Sequence, residues 1–536
     1  MKLLTPVLTF LALLLAGCSE REARRADLVF INGAEIGSID PSQSTTQKES
    51  RVINSLFEGL MRFNSAGRAE PGCALEPVIS PDGLTYTFTI RDNARWSDGT
   101  PVTSEDFVRS WRRVLLNSTA SEYASILFCI AGAEAFNHEE DKPGNPEPDF
   151  SKVGVKAVSP RELVITLTNP LPYFRDLLAF MTFCPVNVRT LEKLPQAERD
   201  NYWKPGNLIG NGPYLLKEWR LNDRIRLEKN PAYWDAANVK LNTIDVLPIE
   251  NPNTAINLFL TGAADLMIDK DLIPASIAEI ISKKPYFHHK PFLGTWFIRF
   301  NTLKKPYGDA RVRKALTMVI DRRRITDVIT RLGEEPAFSI SPPGVGNGYK
   351  PPAGITQNIA EARRLLAEAG YPDGRGFPVV DYLYPSKFPV ENGIAVELQS
   401  MWKSTLGLTV SLRRQEQKVY FESQKKLDYE LSRSSWVGDY NDPNTFLDLF
   451  TTTNGNNRTG WGIKAYDDLI AGAAREPDVA KRNQLLLEAE TLLIEKECVI
   501  APVYYYLGVQ FYHADKLGGV EANLIDEHPL RSMYWK

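Results

Sequence analysis

The chain has 536 residues, of which 43% are hydrophobic and 24% are charged, and its 63 basic and 66 acidic residues give a formal net charge of −3. This length predicts two or three domains, because one hydrophobic core rarely serves so many residues. The near-balanced charge gives no indication of a nucleic-acid-binding surface or of an electrostatic membrane patch.

The first residues are typical of an export signal. MKLLTPVLTFLALLLAGC has one Lys, a mostly apolar run over residues 3–15, and small residues before Cys18. The run is too short to span a bilayer. LAGC resembles the lipobox of bacterial lipoproteins, which implies cleavage before Cys18 and a diacylglycerol on its sulfur; the alternative is a chance Cys after a signal peptide. We expect residues 1–17 to be a signal peptide and Cys18 to anchor the protein to a membrane outside the cytoplasm.

Residues 18–27 are polar and charged, which predicts a tether. The other four cysteines are widely spaced, at Cys73, Cys129, Cys184 and Cys498. This pattern excludes CxxC metal spacing and leaves one or two disulfides open, with no pairing assigned. Of the five His, only His288 and His289 are close in sequence, and adjacent His are poorly placed to chelate one ion. We expect no metal site and no cofactor.

Strands and helices alternate along the remaining chain. LTYTFTI, residues 84–90, alternates apolar residues with Thr, which predicts a half-buried strand. Thr103, with Asp106 three residues later, predicts the start of a helix that carries Phe107 and Trp111 on one face.

Two further helices are predicted in the second half, followed by a strand. GDARVRKALTMVIDRRRI, from Gly308, has a helical pattern, and so does IAEARRLLAEAGYPDG, which Gly370 ends. VIAPVYYYLGVQFYH, from Val499, is rich in aromatic and β-branched residues and predicts a strand. The whole is a mixed α/β chain whose domains share segments.

One short segment combines two charges with an aromatic residue. In SRSSWVGDYNDPNTFL, from Ser432, Arg433 and Asp439 lie six residues apart with Trp436 between them. Charges at this spacing most often face water, and Asp-Tyr-Asn-Asp-Pro is also typical of a turn. A peptide ligand, however, has a cationic head, an anionic tail and a backbone that needs hydrogen bonds. The segment therefore has two interpretations, a structural turn and a peptide-binding strand.

Six segments decide for the second interpretation, because together they are similar to the periplasmic oligopeptide-binding proteins, extracellular solute-binding proteins of family 5. These proteins are the solute-binding components of ABC-type peptide importers, and binders of murein tripeptides, dipeptides and nickel share their fold. The similarity runs from about Val29 to Tyr534 and rests on LFEGLMRF (56–63), IRDNARWSDGTPVTSEDFVRSW (90–111), LIGNGPYLLKEW (208–219), NPAYWD (230–235), DARVRKALTMVIDR (309–322) and SWVGDYNDPNTFL (435–447).

The resemblance implies an α/β, two-lobed periplasmic-binding-protein fold (type II, cluster C) with an extra small domain. The lobes are expected to close on a ligand about a hinge of two crossing strands. The expected domains are lobe I at 28–57, 183–290 and 505–536, the additional domain at 58–182, and lobe II at 291–504.

The resemblance also implies which residues hold the ligand. Asp439 matches the Asp that pairs with the α-amino group of the peptide, and Arg433 matches the Arg that meets a tripeptide's carboxylate. The matching β-partners of the ligand backbone are Ser435, Trp436 and Val437 on one edge and Ser44, Thr45 and Thr46 on the other. Tyr123 and Trp436 match pocket-lining positions.

Two positions depart from the family's pattern where peptide length is selected. Glu391 stands near the position of a His, and Gln424 replaces a second Arg. A Glu there repels a ligand carboxylate or pairs with a cationic group such as a Lys or diaminopimelate amine. We therefore expect a tripeptide-sized ligand, with a cell-wall peptide, a dipeptide or a nickel complex as alternatives.

An enzyme is the competing class. The sequence contains no GxSxG elbow, no HExxH helix and no triad-like grouping, so we expect no catalysis. The expected partners are short peptides, an ABC permease and its ATPase subunits, with membrane contact only through the lipid and with no nucleic acid. We expect a monomer in the periplasm or cell envelope.

Overall fold

The computed structural model describes residues 25–139, 149–195, 199, 202–269, 272–274, 276–346, 348–386 and 389–536. The predicted signal peptide, Cys18 and most of the tether lie outside these residues. In the described part, no helix is long and apolar enough to cross a membrane.

The strands of the described residues, numbered in chain order, are β1 (Leu28–Ile31), β2 (Met61–Phe63), β3 (Ala69–Pro71), β4 (Val78–Ile79), β5 (Thr85–Thr89), β6 (Val155–Ser159), β7 (Glu162–Thr166), β8 (Tyr214–Arg220), β9 (Arg224–Lys229), β10 (Thr243–Leu247), β11 (Leu266–Ile268), β12 (Phe287–Phe300), β13 (Val380–Pro385), β14 (Val410–Gln415), β15 (Leu431–Val437), β16 (Ile500–Phe511), β17 (Leu517–Gly518) and β18 (Tyr534–Trp535).

The α-helices of the same residues are α1 (Gln47–Leu56), α2 (Ser104–Leu115), α3 (Ala133–Glu139), α4 (Phe174–Leu177), α5 (Val188–Leu191), α6 (Pro252–Leu260), α7 (Ala278–Ile281), α8 (Ala310–Met318), α9 (Arg322–Arg324), α10 (Ile359–Glu368), α11 (Pro389–Leu406), α12 (Gln417–Lys425), α13 (Asn444–Leu447), α14 (Lys464–Arg475) and α15 (Val479–Thr491). π-Helical turns follow α9 and α15, at Ile325–Thr330 and Leu492–Lys496.

The local predictions are confirmed, except that the helical segment from Gly308 is divided, with α8 ending at Met318 and α9 beginning at Arg322. β5 lies within the predicted strand, and β16 lies within the aromatic segment near the end of the chain. α2 begins after Thr103, whose capping box with Asp106 is formed, and Phe107 and Trp111 are both buried. α10 ends just before Gly370, which has the positive φ of 98° that favours glycine. The fold is mixed α/β, as predicted.

A ten-stranded mixed sheet runs through the described residues in the order β14-β13-β15-β12-β16-β11-β1-β10-β9-β8. Its two longest strands, β12 and β16, are 14 and 12 residues long, adjacent and antiparallel. Their pairing shifts register between Pro291 and Thr295. Such an irregularity bends a strand pair locally, and β12 and β16 join the half of the sheet that contains β15 to the half that contains β1.

Among the described residues, four large groups of buried apolar side chains form most of the core. One draws on residues 292–506, a second on residues 60–183, and two more pack against β1 and its neighbours. Along β1, Leu28 and Phe30 belong to one of these last two groups, and Val29 and Ile31 to the other. Both faces of this strand are therefore covered, as is typical of parallel pairing. We retain the predicted domain boundaries as a proposal, which this distribution supports.

The described cysteines form no disulfide bond, and the described residues form no metal site. Cys73, Cys129, Cys184 and Cys498 are free thiols, and three of them are buried. Burial raises the pKa of the Cys498 thiol above its ordinary value, so it stays protonated at neutral pH. The described residues contain no group of three or more His, Cys, Asp or Glu side chains arranged for a metal ion.

Candidate ligand-binding cleft

A cavity of about 840 Å³, here called the main cavity, opens where the two halves of the sheet meet. Its walls come from two segments near the start of α1 (34–37 and 45–51), from the end of β15 and the residues after it (436–440), from β16, and from residues 525–527. The segments therefore belong to both proposed lobes. Tyr123 and Phe180 reach it from the proposed additional domain, with ring centroids 5.1 Å apart.

Asp439 lies in this cavity, directly after β15. The chain is held there by hydrogen bonds from the Gly438 N–H to the Leu293 carbonyl (2.7 Å) and from the Asp439 N–H to the Thr445 hydroxyl (3.1 Å). Position 438 requires glycine, since a Cβ there would lie 2.7 Å from the Leu293 side chain and 2.8 Å from that of Thr445. The backbone at Asp439 is thus fixed by close packing.

The carboxylate of Asp439 has no counter-charge in the part of the chain that the structure describes, where it forms no ion pair and accepts no hydrogen bond. Burial raises the pKa of Asp439 from 3.8 to about 6. Burial, together with the nearby Asp439, also raises the pKa of the Tyr123 hydroxyl. Asp439 is therefore a partly buried anion whose charge is unbalanced within the described protein.

The main cavity as a whole has an excess of negative charge. Six acidic side chains and two basic side chains line it. The two basic residues are already paired, Lys48 with Asp269 at 3.2 Å and Arg51 with Asp526 at 3.5 Å. The cavity therefore favours a ligand group that is positively charged.

A second cavity of about 460 Å³, here called the distal cavity, shares Trp436 and Tyr506 with the main cavity. Arg433 lines it and uses all three guanidinium nitrogens. Its Nε donates to Glu391 at 2.7 Å, one terminal nitrogen donates to Ser435 at 2.9 Å, and the other donates to Tyr506 at 2.9 Å. Arg433 is thus neutralised by a residue of the protein.

Glu391 is held between Arg433 and Trp296. The indole N–H of Trp296 donates to both carboxylate oxygens at 3.2 Å, and the Glu391 side chain is only 3% exposed. Burial lowers the pKa of Arg433, but the charge of Glu391 and the neighbouring tyrosine hydroxyls outweigh it, so the pKa of Arg433 lies well above its ordinary value. The predictions treated Arg433 and Glu391 as separate partners of the ligand, whereas the structure pairs them with each other.

The open edge of β15 runs along both cavities. β12 pairs with the whole of β15, but on the other side β13 pairs only with Leu431 and Ser432. At Arg433 the carbonyl accepts hydrogen bonds from Tyr420 and from Gln424, the latter at 2.9 Å. Among the described residues, no strand covers Ser435–Val437 on this edge. A ligand backbone can pair there.

The three residues predicted on the opposite side of the ligand lie at the start of α1. Thr46 is the N-cap residue of α1, and Glu49 accepts the N–H groups of Thr45 and Thr46 at 3.0 and 3.1 Å. Thr45 and Thr46 line the main cavity with these N–H groups already engaged. Ser44 is buried, bonds through its hydroxyl to the Ser38 carbonyl at 3.3 Å and lies outside both cavity linings.

The other predicted residues divide between the cavities. Asp439, Val437 and Tyr123 line the main cavity, Gln424 lines the distal cavity, and Trp436 lines both. Gln424 is buried and its amide nitrogen is engaged by Tyr420, Ser432 and the Arg433 carbonyl.

Two basic residues of the distal cavity were not predicted, Arg299 and Arg458. Arg299 lies on β12, opposite Ser432 of β15, and Arg458 follows in a loop after α13. No local sequence pattern indicates either residue, because their proximity to Arg433 depends on strand register and on loop packing.

These features define a class: a protein that binds a small, charged ligand in a cleft between the halves of a bent sheet. The chain belongs to the bacterial extracellular solute-binding proteins of family 5, whose middle-region model matches residues 68–458. The members of this family are solute-binding proteins.

Relatives match over most of their length. The chain is 38% identical over 492 residues to the periplasmic murein peptide-binding protein MppA of Escherichia coli, covering 90% of this chain and 88% of MppA. It is 35% identical over 510 residues to the oligopeptide-binding protein OppA of Bacillus subtilis, covering 93% and 91% of the two chains.

Solved structures share the fold. The unliganded open form of the murein tripeptide-binding protein MppA matches with a TM-score of 0.79 and 36% identity, over 96% of this chain and 98% of MppA. Haemophilus influenzae OppA in complex with the peptide RPPGFSPFR matches with a TM-score of 0.77 and 30% identity, over 95% of this chain and all of OppA. The predicted family and fold are confirmed.

Proposed function

We propose that this protein captures short peptides by their free N-terminus and backbone and delivers them to a membrane permease driven by ATPase subunits. The observation that carries this proposal is the carboxylate of Asp439, partly buried in the main cavity beside the open edge of β15 and without a counter-charge among the described residues. The family and the peptide-binding relatives support the same class of ligand.

The α-ammonium group of a peptide supplies the charge that Asp439 lacks. A carboxylate in a desolvated site is costly to leave unpaired, whereas a ligand ammonium offsets that cost and fixes the orientation of the ligand. The excess of acidic side chains around the main cavity favours the same end of the peptide. We therefore assign the N-terminus of the peptide to Asp439.

The peptide backbone pairs with Ser435–Val437. Strand addition gives affinity through main-chain hydrogen bonds that do not depend on the ligand's side chains. Thr45 and Thr46 contribute cavity wall from the other lobe, with their N–H groups engaged by Glu49. Tyr123 and Trp436 supply apolar surface.

We assign the carboxylate end of a tripeptide to Arg433, where it competes with the carboxylate of Glu391 for the guanidinium group. The 2.7 Å contact between Arg433 and Glu391 favours a second candidate ligand, a cell-wall peptide whose last residue carries both a carboxylate and an amine. Such a residue offers an anion to Arg433 and a cation to Glu391 at once. The relative MppA, by its name a murein peptide-binding protein, supports this candidate.

The protein acts as a monomer in the periplasm, anchored through a lipid on Cys18, and its lobes close about β12 and β16 without catalysing a reaction. A nickel complex stays an alternative ligand, and metal analysis of the purified protein tests it.

The test begins with native mass spectrometry of protein purified from its own cells, to identify retained ligand. Calorimetry on stripped protein then compares di-, tri-, tetra- and pentapeptides, each free and N-acetylated. We expect acetylation to cost about 2 to 5 kcal/mol of binding free energy. Asp439→Asn should abolish the difference, whereas Asp468→Asn, which changes an exposed carboxylate on α14, should retain it. Equal affinity for free and acetylated peptides, or peptidase activity, contradicts the proposal.

A further inference from the structure

The distal cavity carries more positive charge than its one acidic residue can balance. Arg299, Arg433 and Arg458 line it, and Glu391 is the single acidic residue in its lining. Glu391 is already occupied by Arg433 at 2.7 Å. The other two guanidinium groups thus face the cavity without a carboxylate of the lining.

Arg299 is the more deeply buried of these two. It is 4% exposed, its terminal nitrogen donates to the Asn456 carbonyl at 3.0 Å, and its Nε is buried with no hydrogen-bond partner in the described structure. Burial, together with the like charge of Arg458, lowers the pKa of Arg299. A buried cation with an unused donor is costly, which indicates that a further acceptor enters the cavity.

Arg458, whose charge acts on Arg299, also has an unused buried donor. Its Nε is also buried without a hydrogen-bond partner among the described residues, and a terminal nitrogen makes only a long contact with Gln424, at 3.4 Å. Glu422, the acidic residue whose charge opposes the lowering of the pKa of Arg458, has a side chain that is 55% exposed. Its carboxylate lies 3.4 Å from the ammonium group of Lys425. The indole N–H of Trp436 adds a third unused buried donor to the same lining.

We propose that the distal cavity is an anion subsite in which Arg299 and Arg458 hold a carboxylate of the ligand, beyond the Arg433–Glu391 pair. This inference rests on the proposed peptide-binding function and deepens it. A carboxylate pairs with planar guanidinium groups through charge-assisted hydrogen bonds. It supplies Arg299 and Arg458 with the counter-charge that Glu391 gives only to Arg433.

The register of the sheet gives the length of ligand required. Arg299 lies opposite Ser432, seven residues before Asp439, which corresponds to roughly 23 Å along an extended strand. A tripeptide spans at most about 11 Å and a pentapeptide at most about 18 Å. The long arginine side chains shorten the remaining distance between the ligand and the subsite. The carboxylate is therefore either the C-terminus of a peptide longer than three residues or an acidic side chain at the third position.

The experiment measures both sources of carboxylate by calorimetry on the stripped protein. Pentaalanine is compared with its C-terminal amide, and Ala-Ala-Glu with Ala-Ala-Gln. We expect at least one acidic member to bind about 10- to 100-fold more tightly than its neutral partner. The first pair reports a C-terminal carboxylate and the second a side-chain carboxylate. Ratios near one for both pairs in the wild type overturn the subsite.

Three variants locate the effect. Arg299→Gln and Arg458→Gln should bring the affinity ratio close to one, whereas Arg414→Gln, at an exposed position outside both cavities, should leave it unchanged. An undiminished ratio in both cavity variants overturns the assignment. Circular dichroism verifies folding, and the wild-type comparison of peptides needs no substitution, so a poorly folding Arg299 variant does not remove the test.

N-acetylated pentaalanine separates this inference from the function on which it rests. If peptides bind through the ammonium group but both peptide pairs give affinity ratios near one, only the anion subsite is wrong. If no peptide with a free N-terminus binds, the proposed function itself is wrong.

Discussion

Replacing Asp439 by Asn should make the ligand-free protein more stable while it weakens peptide binding. The wild-type carboxylate is partly buried and has no counter-charge among the described residues, and its pKa rises from 3.8 to about 6. For an acid whose pKa is raised by folding, stability is lost as the pH rises through the interval between the two values. The unfolded carboxyl group ionises near 3.8, whereas the folded one does so only near 6. The destabilisation is therefore complete above about pH 6.

The magnitude follows from the same two values. The difference between 3.8 and about 6 corresponds to about 3 kcal/mol at pH 7.5, and to about 1 kcal/mol at pH 4.5. Asp439→Asn removes this destabilisation, so the variant should melt at a higher temperature than the stripped wild type at pH 7.5, and the gain should shrink at pH 4.5. Its affinity for a peptide with a free N-terminus should fall by about 2 to 5 kcal/mol.

Scanning calorimetry of stripped protein at both pH values measures the first effect, and titration calorimetry measures the second. Asp442→Asn is the matched control. Asp442 is buried and binds Arg482 through both oxygens at 2.8 Å, so the same substitution three residues away should destabilise the protein. A lower melting temperature for Asp439→Asn at pH 7.5, or a gain that does not change with pH, would refute the reasoning.

Three further predictions follow from the proposed site and anchor. Glu391→Gln should destabilise the ligand-free protein by about 3 kcal/mol in denaturant titrations, because the buried Arg433 loses its carboxylate partner. The carboxylate of a bound tripeptide should restore part of this loss, and unchanged stability of the variant contradicts the prediction. Small-angle scattering should show a smaller radius of gyration when peptide binds the stripped protein, whereas an unchanged radius despite measured binding counts against hinge closure. Cys18→Ser should lose the palmitate label that the wild type carries, and a label that persists in the variant defeats the lipoprotein prediction.

Local chemistry was sufficient to predict several individual elements. The capping box of Thr103 with Asp106, the glycine at the end of α10 and the aromatic β16 each depend on residues close together in sequence. The candidate site was predictable only as far as it lies in one segment. Asp439, Trp436 and Val437 are neighbours along the chain, so a single motif places all three in the main cavity.

The charge balance of the site was not predictable in this way. Arg433 and Glu391 are 42 residues apart, and the sequence gives no sign that the helix carrying Glu391 packs against β15. Ser44 belongs to the same short motif as Thr45, yet only the fold determines that its hydroxyl turns toward Ser38.

The sequence by itself determined the family, several local elements and the position of Asp439 in the cavity-lining segment, because these depend on short motifs and on backbone propensity. Tertiary structure alone decided that Arg433 is neutralised by Glu391 and that Arg299 lies opposite Ser432. Strand register and helix packing bring these residues together over long sequence separations, and electrostatic interactions depend on that distance in space.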